Sequence, residues 1–425
     1  MPKWFFQLFW VFYRPDSLDN SFLQRKHTQS DNDFEVTVAV PTDREADRFF
    51  GVPLTRRNLQ PVWVHIRNRG LKPFRLRLGA IDPNYFPPLE AAYLNHFAVL
   101  KRLLAFGLLS WVFFILIPIL PLKLIGAMRA NRRMNAFFQT HGIGWGIIRP
   151  GLEASGFVFT THDRGTKQVL IRLLGDQSER EFMFSIPVPG FHGDYDNKDL
   201  ALPPEEGANI YTNLDQLREH LVKLPRATTN KSGKTEGDPL NLVVIGDFNT
   251  VRTGFGARWD ETETISIASC WRTAKSFLFG KEYRYSPISA LFYHHRSQDF
   301  SLQRARQTID QRLHLRLWKT PLVLDQQPVW IGQISRDIGV RFTLKAWNLT
   351  THKIDPDVDD ARDYLIDDLM EAGRVSLVGY VSGAGEASHS NPRENLTGDP
   401  YYTDGLRALI QFSEGKAKPM ILNWV

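Results

Sequence analysis

The stretch "THKIDPDVDDARDYLIDDL" at 351–369 holds one histidine and seven aspartates. Three kinds of chemistry suit such a run. Asp355, Asp357 and Asp359 have the one-three-five spacing of a calcium loop. However, Pro356 interrupts them, Asp360 stands where the loop needs glycine, and Ile366 stands where it needs a bidentate glutamate. No metal and no cofactor are therefore expected. The same residues also suit a helix start, with Asp359 as cap, Asp360 and Asp363 near the positive end of the dipole, and Asp363 and Asp367 four apart on one face. The third chemistry pairs His352, as a base, with Asp355 or Asp357 as its orienting group, and brings in Asp337 from the preceding strand. Spacing alone leaves the last two open, because both place carboxylates just ahead of a helix.

A second constellation lies at 312–318, "RLHLRLW". Period-two alternation puts Arg312, His314, Arg316 and Trp318 on one face and Leu313, Leu315 and Leu317 on the other. Two guanidiniums flanking an imidazole can grip phosphate or carboxylate through paired donors. The plainer alternative is a solvated sheet face with ordinary ion pairs. Arg284 and Arg296, in the stretch just before, are further candidate anion contacts. The chain has no phosphate-binding glycine loop and no nucleophile elbow, so a hydrolytic step would lack a recognised nucleophile.

The elements that must position these residues follow from periodicity. "LNLVVIGDF" at 240–248 reads as a short buried strand ahead of Asp247 as a possible cap, and 327–340 as the strand beside 312–318. A helix runs to Gly373, and "RVSLVGYV" follows as a last strand. This predicts an α+β domain over 240–382, preceded by a polar linker at 203–239 and followed by a loop-rich tail at 383–425. Upstream, alternating segments at 34–40, 61–70, 74–79, 156–175 and 180–190 predict strands. The halves 34–87 and 140–202 are each small for a stable β domain, and together they predict one β-sandwich-like N-terminal domain.

Between these halves, Leu103–Leu122 carries twenty residues without a charge, about the length of a bilayer span. Residues 88–139 are therefore expected to form a hydrophobic helical membrane segment. If the halves pair, a hairpin broken at Pro118 and Pro121 fits better than a single span. Residues 1–33 are expected to be an aromatic anchor and lead-in. Basic residues are unevenly distributed: residues 1–150 hold 20 Lys and Arg against 10 Asp and Glu, whereas the remainder holds 32 against 36. The excess sits beside the apolar run, where lipid phosphates explain it, so no nucleic-acid partner is expected. The lone Cys270 excludes an intrachain disulfide.

"RLHLRLW", "PVWIGQISRDIGV" and "TTHKIDPDVDDARDYLIDDL", following "LNLVVIG" and "SPISALFYHHRSQDFSLQRAR", resemble the bacterial LssY C-terminal domain family over about 240–382. "RRNLQPVWVHIRNRG", "IDPNYFPPLEAAYL" and "GFVFTTHDRGTKQVLIRLLG" resemble the region that often precedes this domain in relatives. His314, Arg316, Trp318, Asp337, Gly339, His352, Asp355, Asp357 and Arg362 occupy the characteristic positions. The resemblance implies a protein of the bacterial cell membrane, with its domains on one side, periplasmic by preference, and a link to type I secretion. In some relatives the domain is fused to a membrane phosphatase of the phosphatidic-acid type. The family pattern itself assigns no activity.

The expected site follows from these readings. His314, Asp337, His352 and Asp357 are the catalytic candidates, and Arg312, Arg316, Trp318, Asp355 and Arg362 the ligand-binding ones. The expected partners are the lipid bilayer, an unknown anionic ligand, and envelope or secretion-system proteins. A non-catalytic assembly module in an envelope or secretion complex is the alternative.

Overall fold

A computed structural model describes residues 12–97, 119–144, 146–196, 200, 208–256, 258–264, 285, 288–305, 312–342 and 350–422. The chain divides into two compact units, Met1–Pro189 and Gly190–Val425.

The first unit contains β1 (His27–Ser30), β2 (Phe34–Ala39), β3 (Leu59–Asn68), β4 (Phe74–Leu76), β5 (Ile147–Ile148), β6 (Glu153–Thr161), β7 (Thr166–Gly175) and β8 (Ser178–Pro187). They form two four-stranded sheets, in the orders β1-β2-β3-β6 and β5-β4-β7-β8. Alternation determines which side chains meet: Val62, Val64 and Ile66 of β3 and Val169, Ile171 and Leu173 of β7 join one apolar cluster shared by both sheets. β3 pairs antiparallel with β6 from Leu59–Thr161 to Arg67–Glu153, so strands from either side of the apolar run are direct neighbours.

Helices α1 (Asp43–Phe50), α2 (Pro88–Leu94) and α3 (Ile119–His141) belong to the same unit. Ala127, Ala130, Met134 and Phe138 of α3 recur at helical spacing and are buried, the last three among Phe50, Phe157, Phe159 and the alanines of α2. The Phe138 and Phe159 rings stack with centroids 5.1 Å apart. At the two ends of the expected membrane segment, side chains of α2 and α3 are buried against protein. Among the described residues no helix is long and apolar enough to cross a membrane. Residues 98–118, which hold most of the apolar run, lie outside the described residues, as do residues 1–11 of the expected anchor.

The second unit contains β9 (Asn209–Tyr211), α4 (Leu214–Leu221), β10 (Ala227–Thr229), β11 (Glu236–Pro239), β12 (Leu242–Ile245), α5 (Phe248–Gly256) and β13 (Asp260–Glu261). These are followed by β14 (Phe292–Tyr293), β15 (Arg296–Ser297), β16 (Phe300–Ala305), β17 (Arg312–Leu324), β18 (Gln327–Phe342), β19 (Thr350–Ile354) and α6 (Val358–Ala372). β20 (Val375–Ser382), β21 (Arg393–Glu394), β22 (Pro400–Tyr401), β23 (Leu406–Phe412) and β24 (Met420–Ile421) complete it. The main sheet runs β13-β16-β17-β18-β12-β23-β20-β24, with β19 added beside β18 and β9 beside β17.

Both faces of this sheet are covered. Leu242 and Val244 pack with Val251 and Phe255 of α5 and with Ala361, Leu365 and Leu369 of α6. Val243 and Ile245 pack with Leu217 and Leu221 of α4. Burial on both faces explains why β12 reads as an unbroken apolar run. The overall class is α+β.

Two expected boundaries change. The stretch 203–239, read as a linker, carries β9, α4 and the β10–β11 hairpin. Its polar "NKSG" is the turn of that hairpin, with Gly233 at φ +73°, a left-handed conformation that favours glycine. The tail, read as loop, supplies β23, which runs parallel to β12 in the middle of the sheet.

Candidate functional site

The antiparallel register of β16, β17 and β18 builds the site. It sets Gln303, His314 and Ser335 in one cross-strand row and Arg304, Leu313 and Arg336 in the next, on the opposite face. Alternation therefore divides the charges between both faces. Arg312, His314, Arg316 and Asp337 point one way, whereas Arg304 and Arg336 share the leucine side.

The polar face is not a solvated surface. Arg312 is 3% exposed, Arg316 6% and Trp318 0%. Arg316 donates from Nη1 to Gln333 Oε1 at 2.7 Å and from Nε to the Ser289 carbonyl at 3.1 Å. Arg312 donates from Nη1 to Gln303 Oε1 at 2.9 Å. Trp318 sits in an apolar cluster with Leu217, Tyr293 and Ile331, and its ring N–H donates to the Arg296 carbonyl at 3.1 Å. Its environment is core packing.

Two carboxyls are buried in this region. Asp238 is held up by burial against the pull of Arg316, and Asn395 Nδ2 donates to it at 3.3 Å. Burial pushes Asp337 up to about 8, against the pull of Arg316 and Arg312. In its protonated form that carboxyl carries an O–H donor. His314 Nδ1 lies 3.5 Å from Asp337 Oδ2.

Where β16 ends and β17 begins, a cavity of about 190 Å³ opens, lined by Arg304, Arg312, Leu313, Arg336, Asp337, Ile338 and Asp355. The register break between Asp337 and Gly339 falls at its rim, where β18 leaves β17 and pairs with β19. Arg304 is also ion-paired to Asp368 and Arg336 to Asp360, and their guanidiniums lie 5.4 and 5.5 Å from the Tyr364 ring centre. Asp355 accepts from the Asp357 backbone N–H at 3.1 Å, and its own N–H donates to the Arg336 carbonyl at 2.7 Å.

The acidic stretch therefore serves more than one purpose. Asp357, not Asp359, caps α6, accepting from the N–H groups of Asp359 and Asp360, and the helix begins two residues before the expected start. Asp359 accepts from Thr403 Oγ1 at 2.8 Å and from the Asp404 N–H at 2.7 Å. Arg362, 2% exposed, binds Asp404 through both Nη groups at 2.7 and 3.0 Å and Asp363 through Nε at 2.8 Å. These contacts tie the helix start to the strand entry at 404–406. Among the described side chains of the run, Asp355 alone lines the cavity. Among the described residues no three His, Cys, Asp or Glu side chains converge as a metal site.

Of the expected residues, the structure brings together Arg312, His314, Asp337 and Asp355. It sets Arg362, Trp318 and Asp357 in structural contacts. The backbone of His352 pairs with Val340 in β19, while its side chain lies outside the described residues, as does Arg284. Arg296 is ion-paired to Asp299 at 3.1 Å. Sequence reasoning missed Arg304 and Arg336, which line the cavity. Their signal is an alternation, Leu302–Arg304 and Ile334–Arg336, that puts an arginine where the apolar face should continue. Residues 219–406 match the family model described as LssY C-terminus, which contains every residue lining the cavity. The match extends beyond the expected 240–382 at both ends. No curated protein matches the chain.

Proposed function

From the match of residues 219–406 to the LssY C-terminus family model, we propose that this domain binds a small anionic ligand, a phosphate ester or a compact carboxylate, in the cavity at the end of β16 and β17. The observation that carries this reading is that three arginines, Arg304, Arg312 and Arg336, contributed from both faces of the sheet, line one cavity at the strand ends together with Asp337, whose carboxyl burial pushes up to about 8. Guanidiniums supply paired N–H donors to oxyanions, and a neutral Asp337 adds a donor where an ionised one would repel. A volume of about 190 Å³ suits a phosphate with a short substituent. Drug-sized pockets start at roughly 300 Å³.

Binding is the supported activity. His314 beside Asp337 is a candidate acid-base pair, and hydrolysis adds nothing the observations require. The test is calorimetric titration of the full chain with sulfate and glycerol phosphate, alongside Arg312→Ala and the exposed-pair control Arg226→Ala. One site that weakens tenfold or more in Arg312→Ala alone is the expected result, since a charged hydrogen bond contributes about 1.5–3 kcal/mol. Equal binding by all three proteins, or none, would favour a non-catalytic assembly module of an envelope or secretion complex. The ion pairs Arg304–Asp368, Arg336–Asp360 and Arg362–Asp404 support that second reading.

We also infer attachment to a bilayer of the bacterial envelope, on the periplasmic side by preference. The support is the uncharged run at 103–122 and the pairing of β3 with β6, which returns the chain to one unit after that run.

A further inference from the structure

α2 and α3 cross-connect at one end. The Asn131 side chain accepts from the Phe97 N–H at 2.9 Å and donates to its carbonyl at 3.2 Å, and His96 Nε2 meets Asn135 Oδ1 at 2.7 Å. α3 starts at Ile119, twelve residues before Asn131, so its first turns extend about 18 Å beyond that connection. The inner face of α3 is buried through Ala127, Ala130, Met134 and Phe138. The outer face carries Ile125, 45% exposed, and Met128, 51% exposed, followed by exposed Arg129, Arg132 and Arg133. α2 adds Leu89, Tyr93 and Leu94, at 46%, 73% and 36%. Exposed large apolar side chains on two packed helices, those of α3 followed within a turn by a basic cluster, are not what a solvated surface needs.

We propose that this α2–α3 face docks on an anionic phospholipid surface, with Ile125, Met128 and the α2 side chains entering the acyl boundary and Arg129, Arg132 and Arg133 lying among the lipid phosphates. This proposal rests on the bilayer attachment inferred above and adds the docking face and the lipid class. Two features of the chain select lipid as the occupant. The apolar sequence 103–122 runs directly into the start of α3, and the charges that follow it are all positive: residues 101–150 contain seven Lys and Arg and no Asp or Glu. Amphipathic helices with this arrangement lie in the headgroup plane, and basic residues there strengthen binding to anionic leaflets.

The test is vesicle flotation of the full chain with phosphatidylcholine alone and with phosphatidylcholine containing phosphatidylglycerol, at low and high salt. The comparison protein is the triple variant Arg129→Gln, Arg132→Gln, Arg133→Gln, and far-UV circular dichroism melting confirms that its exposed substitutions leave the fold intact. The expected result is a salt-sensitive preference of the parent for the anionic vesicles, lowered roughly 100-fold in partition coefficient in the triple variant. A second variant, Ile125→Ser with Met128→Ser, is expected to lower partitioning into both vesicles without abolishing it, since the run at 103–122 is unchanged. Equal flotation with both lipids by parent and triple variant would overturn the docking face while leaving bilayer attachment standing. Flotation with neither would overturn both.

Discussion

Asp337 combines burial with a position at a cavity wall, and its titration separates a protonated carboxyl from an ion-paired one. Its folded pKa of about 8 lies far above the value of about 3.9 expected in an unfolded chain. Below pH 4 both states hold the proton and the group contributes nothing. Between about pH 4 and 8 the native state keeps a proton that the unfolded state releases. Stability therefore falls as pH rises, then levels off above 8. Asp337→Asn should remove that slope. Its melting temperature is expected to match the parent near pH 4 and exceed it increasingly up to pH 8, each pH unit being worth up to about 1.4 kcal/mol. A variant less stable than the parent throughout pH 5–8 would show an ionised Asp337 paired with arginine. Sulfate, whose charge is constant over this range, should bind the parent more weakly above pH 8, where Asp337 becomes anionic. Titrations at pH 7 and pH 9 check this.

Arg407 presents the opposite problem at the same scale. It is 0% exposed, and burial lowers its pKa to about 10. Its guanidinium donates to the carbonyls of Leu221, Leu224, Pro225 and Gly383, the first of these at the negative end of α4. Arg407→Met would orphan these buried carbonyls, and the expected loss is about 3 kcal/mol or more, read from urea midpoints. Arg407→Lys cannot reproduce the fork and should recover only part of that loss.

Among the elements, α6 shows what the sequence reveals and what it hides. An aspartate run ahead of an apolar helix pattern announces a capped start, and Gly373, at φ +70°, marks its end. The sequence does not show which aspartate faces where, because Asp355, Asp357 and Asp359 alternate between cavity wall, cap and tether within five residues. Asp357→Ala should lower stability by about 1 kcal/mol and leave sulfate affinity unchanged, because it caps the helix and does not line the cavity. A loss of affinity without a loss of stability would return Asp357 to the site. β17 and β18 were equally legible as strands. Their alternation, though, suggested one wet face, and only the register with β16, together with what covers each side, shows both faces buried. Arg304 and Arg336 went unnoticed for the same reason: a residue's face can be read locally, but whether a strand end opens into a cavity depends on three strands at once.

Across the whole chain, the least legible feature was where the second unit begins. Periodicity starts strongly at "LNLVVIG", and the segment before it looks polar, so the sequence places a boundary near 240. The structure instead draws β9, α4 and the β10–β11 hairpin into the same unit, through contacts that range from Thr229–Phe292 in the hairpin to Leu221–Arg407, 186 positions apart. Leu217 and Leu221 cover Leu409 and Val381 on one face of the sheet, and three of the four carbonyls bound by Arg407 come from 221–225. A fragment spanning 240–425 would uncover that apolar face, with Trp318 and Ile331 among its members, and leave the Arg407 charge buried with one carbonyl. Burying an unpaired charge and exposing an apolar sheet face are each among the large destabilising changes. Fragment 190–425 is therefore expected to melt cooperatively and to bind sulfate like the full chain. Fragment 240–425 should show no cooperative transition and should bind a dye specific for exposed apolar surface. Cooperative melting of the shorter piece at the same temperature would mean that α4 is an accessory, and that the guanidinium of Arg407 finds water once α4 is removed.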